Sequence, residues 1–296
     1  LRARSGPSPT RAMSQTLART VFAVTALFFA AFFVWPVLQI LRGGFVNDDG
    51  QLTLAYLGAL LRDPLYLGGL LNSFLLATAA TSLALLIALP LAVVSDRYLF
   101  PGKALLGSVI LIPMILPPFV GAIGIKQIFG QYGALNALLH HAGLLGAGET
   151  IDWLARSQFW GIAVVEAFSL YPIIYLNAVA ALANIDPALE EAAQNLGCPP
   201  LKAMIKVTLP LIAANLIAGG LLAFAFAMLE VSDSLILAQK QAYYPITKAI
   251  LELFQLLGDG KFIASALGVW AMVFLGVTIT GLSLLLGRRL GALFRV

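Results

Sequence analysis

Charge is the scarcest commodity in this chain of 296 residues. Asp, Glu, Lys and Arg together make up 11%, against about a quarter in a soluble domain. That scarcity excludes an ordinary water-soluble globule. The net charge of +4 gives no reason to invoke nucleic acid, because its distribution along the chain already has a topological meaning. Cysteine occurs once, at Cys198, so neither a disulfide framework nor a cysteine metal site can form within one chain. His140 and His141 adjoin in sequence and would point to different faces of a helix. Their default place is a solvated loop, and no metal site is expected.

Catalytic signatures are missing too. No Gly-x-x-x-x-Gly-Lys-Ser/Thr loop occurs; Pro101-Gly102-Lys103-Ala104 lacks both the upstream glycine and the hydroxyl. No His-Glu-x-x-His, Gly-x-Ser-x-Gly or paired-carboxylate pattern supports hydrolytic chemistry, so no catalytic residues are expected.

Apolar residues fill the space that charge leaves. They make up 60% of the chain, and the mean hydropathy is +0.93. Six stretches reach the ~20 residues that a membrane span needs: 21–41, 68–94, 104–129, 159–183, 210–237 and 262–287. The composition therefore predicts an all-α integral membrane protein with six transmembrane helices, lying in a lipid bilayer. Residues 1–20 read as an N-terminal tail and 21–296 as one domain. Met13 is the candidate initiator, and the first stretch runs on through Trp35-Pro36 to Leu41, as a retained span rather than a cleaved signal.

The basic residues orient these spans. Eleven gather at one set of ends (Arg2, Arg4, Arg11, Arg19, Arg97, Lys103, Lys202, Lys206, Arg288, Arg289, Arg295) and seven at the other (Arg42, Arg62, Lys126, Arg156, Lys240, Lys248, Lys261). The bias predicts that both termini and the 183–210 connection are cytoplasmic. Three loops, 43–67, 130–158 and 238–261, then lie outside. The first holds Asn47-Asp48-Asp49-Gly50 and Asp63-Pro64, both turn signals, and the third a short helix over Thr247–Leu257.

Prolines crowd the third span at Pro113, Pro117 and Pro118. Each removes a backbone donor, so this helix is expected to kink or break, which lipid tolerates only where neighbours or a cavity satisfy the freed carbonyls. Pro90 and Pro172 do something milder to the second and fourth spans. Three carboxylates also sit inside predicted spans, where charge is costly and often functional: Glu166 in the fourth, Glu230 and Asp233 towards the outer end of the fifth. Glu230 and Asp233, three apart, can face one cavity. The bland alternatives are a polar clasp between helices, or Lys126 neutralising Glu166.

One polar island stands between the fourth and fifth spans: EAAQNLGCPPLKAMIKVTLP, residues 191–210. Asp186-Pro187 is a good helix start. Leu189, Ala192, Ala193 and Leu196 share a helical face, with Glu190, Glu191, Gln194 and Asn195 on the polar side. Gly197 can take the left-handed conformation that ends a helix. Pro199-Pro200 then allow a turn and a second short helix carrying Lys202 and Lys206. Small alanines would let another surface come close.

With Glu191-Ala192-Ala193, three residues, Gly197, nine residues, then Val207-Thr208-Leu209-Pro210, this island resembles the EAA motif of permease subunits of bacterial binding-protein-dependent ABC importers. Val207 is the single conservative replacement. The resemblance implies a type I importer permease in which segment 186–210 forms cytoplasmic coupling helices on the ATPase. Glu190, Glu191, Ala192, Ala193, Gly197, Val207, Leu209 and Pro210 would make that contact. It also implies a second permease subunit, identical or similar, a solute-binding protein outside, and a bacterial inner-membrane location. ATP and magnesium would be bound by the partner ATPase, with no cofactor in this chain.

The stretch LLGSVILIPMILPPFVGAIGIKQIFGQYGALNALL also resembles permeases of the ferric-iron branch of these importers, a branch that includes phosphonate, polyamine, thiamine and sulfate permeases. On that resemblance the cargo is ferric iron, with 2-aminoethylphosphonate, polyamine, thiamine or sulfate as alternatives. Glu166, Glu230, Asp233, Pro117 and Pro118 are the candidates for the translocation path. A self-contained secondary transporter would call for matched broken helices in inverted repeats, and the sequence contains no internal repeat.

Overall fold

The computed structural model describes residues 15–47, 49–146, 148–154, 158–256 and 258–293. The first fourteen residues, with Arg2, Arg4, Arg11 and Met13, lie outside them, as do Asp48, Arg156, Leu257 and Arg295. Among the described residues the regular structure is helical, with a lone antiparallel bridge, Val46 to Leu52. That bridge closes the turn expected at Asn47–Gly50, where the Gly50 amide donates to the Asn47 carbonyl.

The first span is one continuous rod, α1 (Gln15–Phe29), a π-turn (Ala30–Val34) and α2 (Trp35–Gly43). Its helix is under way from Gln15, inside the stretch read as a tail. The short α3 (Ala55–Leu60) leads to α4 (Pro64–Arg97), the second span. Asp63-Pro64 proves to be a helix start: the Asp63 carboxylate accepts from the Leu65 amide at 2.9 Å, and Pro64 fills the first helical position. Pro90 lies inside this helix without interrupting it.

The third span is broken, as its prolines require. α5 (Lys103–Ile115) and α6 (Pro118–Phe129) are separated at Leu116-Pro117, and the pair Lys103–Ile115 and Pro118–His141 meets at 97°. Within the loop read as irregular, α7 (Ala134–His141) forms and is pinned by the buried Asn136. The Asn136 amide donates to the carbonyls of Gln131 and Ile151, and its oxygen accepts from the Ile151 amide. α8 (Gln158–Leu182) is the fourth span.

After α9 (Ala188–Asn195), α10 (Pro200–Ala203) does not stand as a separate short helix. It runs through a π-turn (Met204–Thr208) straight into α11 (Leu209–Met228). The expected fifth span to residue 237 is interrupted at 229–231 and resumes as α12 (Ser232–Leu237). α13 (Ile246–Phe254) occupies the last loop, and α14 (Gly260–Leu293) is the sixth span. Both π-turns are followed, two residues on, by a proline: Pro36 and Pro210. A wide turn lets the backbone skip the amide that the proline lacks; the Trp35 and Leu209 amides reach back five residues, to Ala30 and Met204.

Among the described residues five helices are long and apolar enough to cross a membrane, or six spans if the bent pair counts as one. Packing is inside-out relative to a soluble protein. Large apolar side chains such as Phe22, Phe32, Leu86 and Val277 face outward, while about half of the buried apolar residues are alanines. Along α4 the residues Ala77, Ala80, Ala84, Ala88 and Ala92 form a fully buried stripe at helical spacing. It lies against α8 and α11, where Ala167, Ala178, Ile174 and Ile212 fill the same core. Small residues let backbones approach closely, and dispersion then holds them without help from water. The rod α1–α2 is peripheral, without a buried residue, and touches the bundle near Gly44. A methyl on Gly44 would stand 3.1 Å from the Ala266 Cα.

Ala84→Leu is expected to lower stability by about 1–3 kcal/mol through overpacking. Leu86→Ala, on the lipid-facing side of the same turn, should change it by less than about 0.5 kcal/mol. Thermal unfolding of the two variants in detergent checks the contrast; equal effects would mean that the stripe is not the close-packed seam.

Candidate functional site

Two places draw together the residues that the sequence singles out. The first is the island at the end of the bundle where α4 stops and α11 begins. Asp186 caps α9, its carboxylate accepting from the Ala188 amide at 2.9 Å. Gly197 ends it at φ +86°. Its amide donates to Gln194, and that of Cys198 to Ala193, the paired 5→2 and 6→1 bonds of a Schellman ending. Nothing lies within 4 Å of where a Cβ on Gly197 would sit, so the demand for glycine there comes from the backbone angle alone.

On α9 the apolar residues are mostly exposed, and Glu191, Gln194 and Asn195 are exposed with them; Glu190 alone departs from the polar side on which the sequence placed it. Leu189 is 49% exposed and Leu196 90%, with Ala192 beside them, while Ala193 is half-buried. Glu190, expected on the outward polar side, turns inward instead. Its Oε2 accepts from Arg97 Nη2 at 2.9 Å and from the Thr208 hydroxyl at 2.7 Å. One carboxylate thus joins the end of α4, the helix α9 and the π-turn that opens α11. The reason is the shortage of partners for charge at a half-buried position: carboxylate and guanidinium satisfy each other, and the hydroxyl takes a remaining lone pair. Glu191 stays exposed. Val207, Leu209 and Pro210 belong to the π-turn and the first turn of α11, and Leu201 and Ile205 add exposed apolar surface next to α9.

The second place is a cavity of about 480 Å³, lined by Glu166 of α8, Glu230 and Asp233. The backbone break of the third span supplies Pro113, Met114 and Pro118 to its wall. Pro117 lines an adjoining cavity of about 230 Å³ with Pro118. Glu230 is in the interruption of the fifth span rather than on a helix, and its carboxylate accepts from the amides of Ser232 and Asp233 at 2.8 and 3.0 Å, starting α12. Glu166 is 2% exposed and Asp233 fully buried. Glu166 Oε2 and both Asp233 oxygens have no hydrogen-bond partner among the described residues. Lys126 does not neutralise Glu166; it lines a separate, larger cavity of about 610 Å³ with Gln127, Gln131 and Gln158. The Tyr171 hydroxyl donates to the Ile110 carbonyl at 2.7 Å, tying α8 to α5 just before the break.

The structure therefore brings Glu166, Glu230, Asp233 and Pro118 to one cavity and keeps the island residues together at the opposite end of α11. Sequence reasoning missed Arg97 and Thr208. Arg97 entered only as a topological charge, and Thr208 occupies the unspecified position of the motif; neither carries a local signal of its partner.

Known proteins align with this architecture. Residues 84–291 match the family of binding-protein-dependent transport system inner membrane components. A Haloferax volcanii protein bearing the name of a probable molybdenum ABC transporter permease is 29% identical over 208 residues, 70% of this chain and 70% of that protein. A Salmonella typhimurium protein provisionally named a 2-aminoethylphosphonate transport system permease is 29% identical over 232 residues, 76% of this chain and 79% of its own. In fold, the chain is similar to the crystal structure of a bacterial ABC transporter involved in the import of the acidic polysaccharide alginate. The TM-score is 0.74 at 18% identity, over 92% of this chain and 96% of that one.

If the Arg97–Glu190–Thr208 clasp fixes α9, then Arg97→Met or Thr208→Val should speed hydrogen exchange of the Leu196, Gly197 and Cys198 amides by about tenfold. Exchange within α11 should not change, and Arg97→Lys should give an intermediate rate. Unaltered exchange in both variants would show that the clasp does not hold the segment.

Proposed function

Because the chain belongs to the family of binding-protein-dependent transport system inner membrane components, we propose that segment 186–210 is its coupling element and the carboxylate cavity part of its solute path. The chain is a permease subunit of an ABC importer of type I architecture, a multi-pass protein of the inner membrane. A self-contained secondary transporter is set aside by that membership. ATP and magnesium are bound by a partner ATPase, a binding protein brings the solute from outside, and a second permease subunit, identical or similar, completes the membrane core. Both termini and the coupling segment face the cytoplasm, in keeping with the eleven-to-seven split of basic residues.

The observation that carries the coupling reading is the outward apolar face of α9 and α10. Leu189, Ala192, Leu196 and Leu201 are exposed on a segment rich in charge and proline, not on a lipid-facing span. Such a face calls for a protein surface to cover it. Beneath it, Glu190 is committed to its own chain, so the outer contact falls to Glu191, Ala192 and the leucines. ATP-driven closure of the ATPases would push on this face and rock the bundle between inward- and outward-open states.

Ferric iron as cargo rests on the resemblance around Leu116–Gly121 alone. The two relatives above are named for molybdenum and for 2-aminoethylphosphonate, so the resemblance to the iron branch does not select the cargo.

Gly197→Asp is expected to leave assembly intact and uncouple ATP hydrolysis from uptake, since a residue with a Cβ at φ +86° costs about 1–2 kcal/mol and re-aims α10. Ala192→Trp should abolish capture of the ATPase by the purified permease. Normal solute uptake in proteoliposomes by both variants would remove the coupling assignment.

A further inference from the structure

We infer that the cavity between the broken third span and the interrupted fifth span binds an organic ammonium group, the cationic end of the solute that crosses this permease. The inference rests on the permease reading above and narrows it to a class of cargo.

Charge is the first reason. Three carboxylates line the cavity, and no Lys, Arg or His is among the residues that do. Two of them are almost completely buried, with three oxygen atoms that have no hydrogen-bond partner among the described residues. A buried carboxylate without a donor is costly to keep, and a cation that enters relieves that cost. The chain's own nearby cations are committed elsewhere. Lys248 donates to the Ala238 carbonyl and lies over the Tyr244 ring, and Lys126 lines the other cavity. Glu230 has spent one lone pair of each oxygen on the amides that begin α12 and retains the others.

The proline break adds acceptors. In a helix the carbonyls of Pro113 and Met114 would receive amides from residues 117 and 118, but both are proline. Pro113 and Met114 are in the wall of the same cavity. The wall thus holds three carboxylates and the hydroxyls of Ser169 and Ser232, with no cationic side chain, the complement of an ammonium group with its N–H donors and no acceptor.

The rest of the wall decides between cations. Among the described residues no three His, Cys, Asp or Glu side chains are grouped to hold a metal ion. Leu170, Ile173 and Phe226 line the cavity instead, suited to an alkyl body and to the face-on approach of a cation to an aromatic ring. A volume of about 480 Å³ suits a small organic molecule. A bare oxyanion finds no cationic partner in this wall. Of the cargoes in the relatives' names, 2-aminoethylphosphonate has an ammonium end and molybdate has none.

The test uses the assembled transporter, purified with its ATPase, and three probes sharing one alkyl body: n-butylammonium, 1-butanol and butyrate. Butylammonium is expected to raise the thermal midpoint of the permease with a saturable dependence, while butanol, butyrate and molybdate do not. Glu166→Gln and Asp233→Asn, which keep shape and remove charge, should each weaken the butylammonium effect by about tenfold or more. A response to butanol equal to that of butylammonium would reduce the site to an apolar pocket and overturn the inference. So would a response to butyrate or molybdate, or an unchanged butylammonium effect in both variants. If the variants do not fold, the charge series on the wild-type complex decides alone. ATP hydrolysis by the same preparation keeps the two readings apart. Coupled ATP hydrolysis with no butylammonium response removes the ammonium site only, whereas a butylammonium response with ATP hydrolysis that does not depend on the permease keeps the site and removes the coupling reading.

Discussion

The close approach of α4 to α8 is the constraint on which the rest of this bundle depends. In a bilayer, burying an apolar side chain against another helix gains little over leaving it in lipid, so helices hold together by dispersion at short range and by scarce polar contacts. The alanine stripe from Ala77 to Ala92 is how α4 achieves that range. Once α4 and α8 are in register, α11 has a groove to occupy, and the large side chains left over are turned to lipid. The peripheral rod α1–α2 shows the converse. It is the most apolar of the five unbroken spans and has no buried residue, because apolarity in itself gives a helix no reason to pack in lipid.

Against that tight core, the places where the backbone breaks stand out physically. The third span breaks at Leu116-Pro117 and the fifth at 229–231, and both breaks line one cavity with Glu166. Irregular backbone in the hydrocarbon region persists where protein or a polar cavity covers it. The two breaks and the three carboxylates are mutually dependent features. The breaks open the space, the carboxylates make it polar, and Glu230 supplies the cap that lets the fifth span restart as α12.

How much of this was legible in the sequence follows from the range of each interaction. Six apolar stretches gave the spans because each is a local property, and the third break was legible because proline acts on its own turn. The break of the fifth span was not. Leu229-Glu230-Val231 contains no glycine or proline, and the chain departs from the helix there to bring Glu230 onto the amides of Ser232 and Asp233. The direction of Glu190 was also hidden. It adjoins Glu191, nothing local separates their roles, and its partner Arg97 is 93 residues away. The helix Ala134–His141 escaped notice because its glycine-rich surroundings read as loop, while the Asn136 contacts that pin it are tertiary. The Leu-Pro-Pro-Phe-Val-Gly run suggested iron, yet in the structure those residues make a 97° bend. Prolines that break a helix act on its backbone, so their presence there does not select a cargo.

The clasp at Glu190 and the cavity at Glu230 lie at the two ends of one helix, and that geometry relates them. From Thr208 to Met228 the chain is helical without interruption, a rod of about 30 Å packed on α4 and α8. Arg97 joins the end of α4 to the same carboxylate that holds Thr208. A displacement of α9 would be passed through this clasp to α4 and α11 together, since close-packed helices shift between discrete arrangements more readily than they deform. The first place where the fifth span can yield is the stretch 229–231, beside the carboxylates. In this arrangement the rigid part of the permease runs from the clasp to the edge of the cavity, and the compliant part begins where the solute would bind.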